Sequence, residues 1–343
     1  MTQSVIICIY YPRRYMLMDK RPTVLLIYGG RGMESEVSLR GAENILPIIK
    51  ENYDCLPTFI DKGGRWLCEG KELLLTQGGV LIDGNFTKID CAFPLLHGDL
   101  GEDGRVQGAL DCTSIPYVGC DSVCGAVCRD KFIVKAVASE LGIPTLPCLL
   151  ALKSDNREKT IDECERKIGY PLFVKPTSLG SSVGAGKANN KEELALALKE
   201  SFRVADRVII ERLLSPKREL ECGFLSVKGK DLFTKCGEVL CQGFYDYKRK
   251  YFSPEVKTVA VADVGEDVNA RIKDYSSRLV RALGIRDLSR IDFFLSGEEL
   301  YFNEINTMPG MTETSLYGKM TEAEGISLRE LIYSLIDGAI SRA

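Results

Sequence analysis

Two apolar runs near the C-terminus constrain this chain most. Ser289-Arg290-Ile291-Asp292-Phe293-Phe294 and Leu300-Tyr301-Phe302-Asn303-Glu304-Ile305-Asn306 flank the short break Ser296-Gly297-Glu298-Glu299. Aromatic and β-branched runs about such a break read as a β-hairpin. Glu304 and Asn306 are two residues apart, so on a strand they share a face, and Asp292 lies across from them if the arms pair. Three oxygen-bearing side chains converging on an otherwise apolar sheet are costly unless something satisfies them. Carboxylate and amide oxygens suit a hard cation such as magnesium, shared with substrate phosphates. Arg290 precedes Asp292 by two and shares its face, and a fixed cation there suits a reaction that builds negative charge. The plainer reading is a polar outer face of an antiparallel hairpin.

The chain has 343 residues, 45% hydrophobic and 27% charged, with a net charge of −3. That size allows two or three domains, and that charge gives no bulk field toward nucleic acid or anionic lipid. No apolar run approaches the roughly 20 residues that span a bilayer. Residues 1–22 read as an extension outside the fold, disordered or arising from an upstream start codon. Their apolar run precedes Pro12-Arg13-Arg14, the reverse of a signal peptide. Thirteen cysteines occur without a CxxC pair, as expected of reduced thiols in a cytoplasmic protein. Cys120, Cys124 and Cys128 are spaced to share a helix face, as buried thiols or as part of a metal cluster.

The pattern predicts an α/β and α+β multidomain chain. An N-terminal open parallel α/β domain, Rossmann-like, covers 23–119, with a strand at 23–28, a glycine-rich turn and a helix from about Val37 to Lys50 capped by Ser35 or Ser38. Further strands fall at 55–60 and 89–96, with a hairpin near 64–75. A smaller α+β unit covers 120–210, with a helix over 121–141, and a strand-rich unit covers 211–343, with strands at 220–227 and 231–240. Ligands of open α/β sheets sit beyond the C-terminal strand ends, where Gly29 to Glu36 and His97 to Gly108 fall.

Three segments carry chemistry. Pro171 to Gly184 delivers Lys175 from an apolar strand into a loop of Ser, Thr and Gly, the composition that lets backbone N–H groups approach an anion. It is either a phosphate loop or a plain hairpin turn, and it is not a Walker A loop. His97, the only histidine, opens His97-Gly98-Asp99-Leu100-Gly101-Glu102-Asp103-Gly104. It is a binding-site residue or a satisfied structural one. Glu34-Ser35-Glu36-Val37-Ser38 begins a helix, where acids complement the helix dipole or recognise a substrate ammonium.

Taken together, HGDLGEDGRVQG (97–108), VKP…GSSVG (174–184), YDYKRKY (245–251) and SRIDFF…NEINTMPGMTETS (289–315) resemble the D-alanine–D-alanine ligases, an ATP-grasp family, from about Val24 onward. The resemblance implies an ATP-grasp fold and ligation of two D-alanines through an acyl phosphate, for peptidoglycan precursors. It implies that Asp292, Glu304 and Asn306 hold two magnesium ions, with manganese a possible substitute, and that Lys131, Lys175 and Lys250 contact ATP phosphates beside Ser181 and Ser182. Glu211 and Leu214 would hold the adenine, Glu219 the ribose, and Phe244 would stack near the base. Glu36 would pair with the first substrate's ammonium and join Ser181 and Tyr251 in a hydrogen-bonded trio, with Ser38 and His97 nearby. Arg290 and Gly310 would stabilise the oxyanion, and Ser315 and Leu316 would clamp the second carboxylate. A homodimer is the family expectation. Ser35 stands where the family often has a larger residue, and the first 22 residues have no counterpart. Transfer to D-serine or D-lactate, or a non-catalytic nucleotide-binding module, are the alternatives.

Overall fold

The computed structural model describes residues 21–240 and 257–342. The expected extension, and the assignments of Phe244, Lys250 and Tyr251, lie outside the described residues. The first sheet centres on Thr23–Gly29, which pairs in parallel with Asp54–Ile60 on one side and Cys91–Pro94 on the other. Beyond Asp54–Ile60 it continues through four antiparallel strands, from Trp66–Cys68 to Asn85–Lys88. The parallel part is therefore narrower than the sequence pattern suggests. A tight turn at Glu69-Gly70 and one at Asp83-Gly84, all four at positive φ, lets successive strands pair without a crossover helix.

Helix Ser35–Asn52 packs on this sheet through Val37, Ala42, Ile45 and Ile49. Neither serine caps it: the N-cap is Glu34, with no side-chain cap. Ser38 is fully buried, accepting from the Gly29 N–H at 2.8 Å and donating to Leu95 O. The predicted 121–141 helix is two helices, Ser122–Arg129 and Lys131–Glu140. Asp130 leaves helical geometry between them and its carboxylate accepts from the Phe132 and Ile133 N–H groups, a capping arrangement that starts a new helix.

The second sheet is antiparallel, ordered Gly186–Ala188, Leu172–Pro176, Arg207–Arg212, Cys148–Leu152. It has its own core around Leu172, Val174, Leu194, Leu198 and Ile210. The third contains Arg218–Val227 at its centre, flanked by Gly237–Leu240 and the hairpin Leu288–Ser296 with Glu299–Asn306. The predicted 231–240 strand is instead Lys230–Phe233 and Gly237–Leu240, both paired to Arg218–Val227. The C-terminal helix Leu328–Ser341 contributes Leu331, Ile332, Leu335 and Ile336 to the core beneath the first sheet. That packing ties Leu328–Ser341 to the first sheet and to helix Ser35–Asn52, and Arg342 adds paired contacts to buried Asp287 at 2.6 and 2.7 Å. No helix among the described residues is long and apolar enough to cross a membrane.

Candidate active site

The hairpin forms as its sequence predicts. Asp292 pairs directly with Glu304 and Arg290 with Asn306, so all four side chains stand on one face. A bulge follows Asp292: Phe293 faces Phe302, leaving Asn303 as the extra residue. Bulges re-aim a side chain, and here Asn303 Oδ1 accepts from Lys175 Nζ at 3.3 Å. Arg290 grips Asp292 with two nitrogens, Nε at 2.8 Å and Nη2 at 2.7 Å, and its Nε lies 3.3 Å from Glu221. Burial disfavours the guanidinium's charge, but Asp292 and Glu221 outweigh burial and hold its pKa well above the ordinary arginine value.

Two cavities meet at this hairpin. One, of about 1150 Å³, lies between the second and third sheets and contains Lys131, Lys175, Leu214, Glu219 and Phe294. The other, of about 410 Å³, contains Glu34, His97, Gly310, Ser315 and Leu316. Lys131, Ser181, Arg290 and Glu304 line both.

Lys131 ties three segments together. Its Nζ donates to Leu179 O at 3.0 Å and lies 3.3 Å from Glu304, while its N–H donates to Thr177 O at 2.9 Å. Burial pushes the Lys131 ammonium below its usual pKa, with Glu304 opposing. Lys175 reaches Glu211 at 2.7 Å, and Lys135, one helical turn after Lys131, reaches the other oxygen of Glu211 at 3.0 Å. Burial alone would raise the Glu211 carboxyl, but the two ammonium groups overcome it and bring it down to about 2. For Lys175, burial works against the charge while Glu211 and Glu304 reverse it, so its pKa rises. The Glu211 carboxylate, expected at the adenine, is thus the buried anchor of two lysines. The spacing of Lys131 and Lys135, which places both on one helical face, was the available signal for Lys135.

The phosphate loop is strained where it turns. Ser181 and Ser182 both have positive φ, 55° and 59°, a conformation uncommon outside glycine that clusters at functional sites. Ser181 Oγ donates to Glu34 Oε1 at 2.6 Å. This corrects the assignment of Glu36 to that partnership. Glu36 sits on the first helical turn, exposed, at the edge of the smaller cavity. Glu34, half-buried at the N-cap, lines the same cavity and is the acid that Ser181 reaches. Its carboxylate is held between two glycines: a Cβ on Gly98 would come within 2.4 Å of it, and one on Gly180 within 3.1 Å. Ser38 does not join this cavity, because its place on the helix turns it inward against the sheet. Glu102 and Arg129, also unassigned from sequence, fix the neighbouring loop. Glu102 Oε2 accepts from the Gly98 N–H at 2.8 Å and from Arg129 Nη1 at 3.2 Å.

His97 Nδ1 lies 3.0 Å from Met308 O. A carbonyl only accepts, so Nδ1 carries the proton and a neutral ring leaves Nε2 as an acceptor. Nε2 is buried with no hydrogen-bond partner among the described residues, in a residue lining the smaller cavity. Across the cavity, Ser315 is the N-cap of helix Leu316–Ala323. Its Oγ accepts from the Thr312 N–H at 3.1 Å, and a Cβ on Gly310 would lie 2.9 Å from it. A helix start with free N–H groups favours an anion.

The donor set of the hairpin fits magnesium. Two carboxylates and an amide stand together, and hard oxygen ligands with the remaining positions left to phosphate and water are what that ion takes. The same acids already draw the Lys131 and Arg290 cations. Among the described residues no group of three or more His, Cys, Asp and Glu could hold a metal, which removes the metal reading of Cys120, Cys124 and Cys128. Those three are buried free thiols.

Known proteins match this chain in sequence and in overall fold. The family model described as D-ala D-ala ligase C-terminus matches residues 137–337, and the one described as D-ala D-ala ligase N-terminus matches 74–120. The chain belongs to the D-alanine–D-alanine ligase family. The D-alanine–D-alanine ligase of Deinococcus radiodurans is 39% identical, over 92% of this chain and 98% of the relative. That of Streptococcus pneumoniae strain R6 is 37% identical, over 92% and 96%. Among solved structures, the D-alanyl-alanine synthetase A of Vibrio cholerae superposes with a TM-score of 0.87 at 31% identity, covering 94% of this chain and 99% of that one. The VanG D-Ala:D-Ser ligase of Enterococcus faecalis gives 0.85 at 31%, covering 93% and 99%. The ATP-grasp fold expected from the motifs is thus the fold of the chain's structural neighbours.

Proposed function

We propose that this chain joins two D-alanine molecules into D-alanyl-D-alanine with ATP, as a cytoplasmic supplier of peptidoglycan precursor. The observation that carries the reading is the junction of the two cavities at Lys131, Ser181, Arg290 and Glu304. The larger cavity is lined with lysines and suits a nucleoside triphosphate. The smaller offers a carboxylate, Glu34, and a helix start at Ser315 and Leu316, complementary to the two ends of amino acid zwitterions.

The first D-alanine lies with its ammonium on Glu34 and its carboxylate toward the junction. A carboxylate oxygen attacks the γ-phosphorus, the bond to ADP breaks, and an acyl phosphate forms. Lys131 and Lys175 neutralise the phosphate chain, which is most of what phosphoryl transfer requires of a protein. Asp292, Glu304 and Asn306 would hold two magnesium ions, or manganese in their place, which would add to the neutralisation of phosphate charge. The second D-alanine is held by its carboxylate at Ser315 and the Leu316 N–H. Its amine attacks the acyl carbon, and Arg290 with the Gly310 N–H stabilises the oxyanion until phosphate leaves. Ser181 bound to Glu34 draws the phosphate loop against the first substrate and excludes water that would hydrolyse the acyl phosphate. His97 offers Nε2 as an acceptor on the substrate side. Glu219 faces the ribose, Leu214 the adenine, and Ser182 the phosphates. The units 23–119, 120–210 and 211–343 meet around this site, and a homodimer is the expected assembly.

The D-Ala:D-Ser specificity of one structural neighbour supports a second reading, in which D-serine is the second substrate. Phosphate release with ATP and magnesium across D-alanine, D-serine and D-lactate, with product masses, tests both. D-Alanyl-D-alanine as the main product supports the first reading. Faster release and a mixed dipeptide with D-serine would replace it with the second. No amino-acid-dependent release at all would refute both.

A further inference from the structure

The loop that joins Arg207–Arg212 to Arg218–Val227 ends in Lys217. Its Nζ lies 3.5 Å from the centre of the Phe294 ring, well inside the range of a cation–π contact. The loop is anchored: Ser296 Oγ donates to Pro216 O at 2.9 Å. Phe294 is set by the hairpin and faces Glu219 across the sheet, and Glu219 lies 3.1 Å from Lys217. All three line the larger cavity. Phe294 lines a cleft that also contains Phe173, Leu214 and Val239 beside its lysines and acids, and Lys217 covers one face of the Phe294 ring. Enclosure in the cleft drives the Lys217 ammonium below its usual pKa despite Glu219.

We propose that Lys217 is a built-in occupant of the nucleotide cleft, a cation resting on the Phe294 ring that must be displaced before the base stacks there. The inference rests on the reading of this cleft as the ATP site. Displacement opposes binding by the strength of the cation–π contact. Lys217 thereby sets nucleotide affinity through the base end and leaves the phosphate end unaffected.

The test is calorimetric titration of the full-length protein with magnesium-ATP and, separately, with magnesium tripolyphosphate, which engages only the phosphate end. Lys217→Met and Lys217→Ala should bind ATP about threefold to tenfold more tightly than wild type, with tripolyphosphate affinity unchanged. Lys217→Arg, which keeps a cation on the ring, should behave as wild type. Phe294→Ala should weaken ATP alone. Unchanged or weaker ATP binding in Lys217→Met, against a wild type that binds, overturns the inference while leaving the ATP site intact. A parallel shift in tripolyphosphate also overturns it, because it marks a general charge effect. Failure of the wild type to bind either ligand removes the nucleotide reading itself and this inference with it.

Discussion

Replacing Glu34 with glutamine keeps an oxygen to accept from Ser181 Oγ, now at 2.6 Å, and removes only the charge. The site is enclosed between Gly98 and Gly180, so the lost interaction is a hydrogen bond between a charged carboxylate and a charged ammonium. Such bonds are worth about 1.5–3 kcal/mol, a fall of about 10- to 150-fold in kcat/KM for D-alanine. Glu36 is exposed at the cavity edge, where an ion pair contributes about 1 kcal/mol at most, so Glu36→Gln should lose about fivefold or less. Steady-state phosphate release, with D-alanine varied at saturating ATP and ATP varied at saturating D-alanine, separates the two. The KM for ATP should hold in both variants, and thermal melts should coincide with wild type. A Glu34→Gln enzyme within threefold of wild type, or a Glu36→Gln enzyme damaged as badly, would show that the ammonium is recognised elsewhere.

Glu211→Gln should destabilise the protein by about 3–5 kcal/mol, since it strands Lys135 and Lys175 without their buried counter-charge, and chemical denaturation at neutral pH reads this directly. The wild-type carboxyl is lowered from an ordinary 4.5 to about 2. Its contribution is therefore fully present above pH 4.5 and lost as pH falls toward 2, on the order of 3 kcal/mol over that window; the variant should lack this part of the acid-unfolding slope, and an identical slope would contradict the assignment. Gly98→Ala meets both a φ of +71° and the Glu34 carboxylate. It should cost about 1–2 kcal/mol in stability and displace Glu34, raising the KM for D-alanine while sparing that for ATP; an unchanged KM would mean that Glu34 accommodates the methyl without consequence.

The sequence by itself determined the features whose partners are close along the chain. A two-residue period and a short turn predict the hairpin and put Glu304 and Asn306 on one face, while the bulge at Asn303 sets the register that brings Asp292 opposite Glu304 and Arg290 opposite Asn306. The strand that delivers Lys175 was legible for the same reason, whereas the strand expected over 89–96 spans only Cys91–Pro94 and stops short of His97. Only the tertiary structure decided which of two acids, Glu34 or Glu36, enters the site. That choice depends on where helix Ser35–Asn52 begins and how it is rotated against a loop 147 residues away. Lys135 on Glu211, Asp130 splitting two helices, and Lys217 over Phe294 belong to the same class. Local periodicity fixes which side chains share a face, but which face meets which is set by packing between elements distant in sequence, and a difference of two residues in a helix start turns a side chain from cavity to solvent.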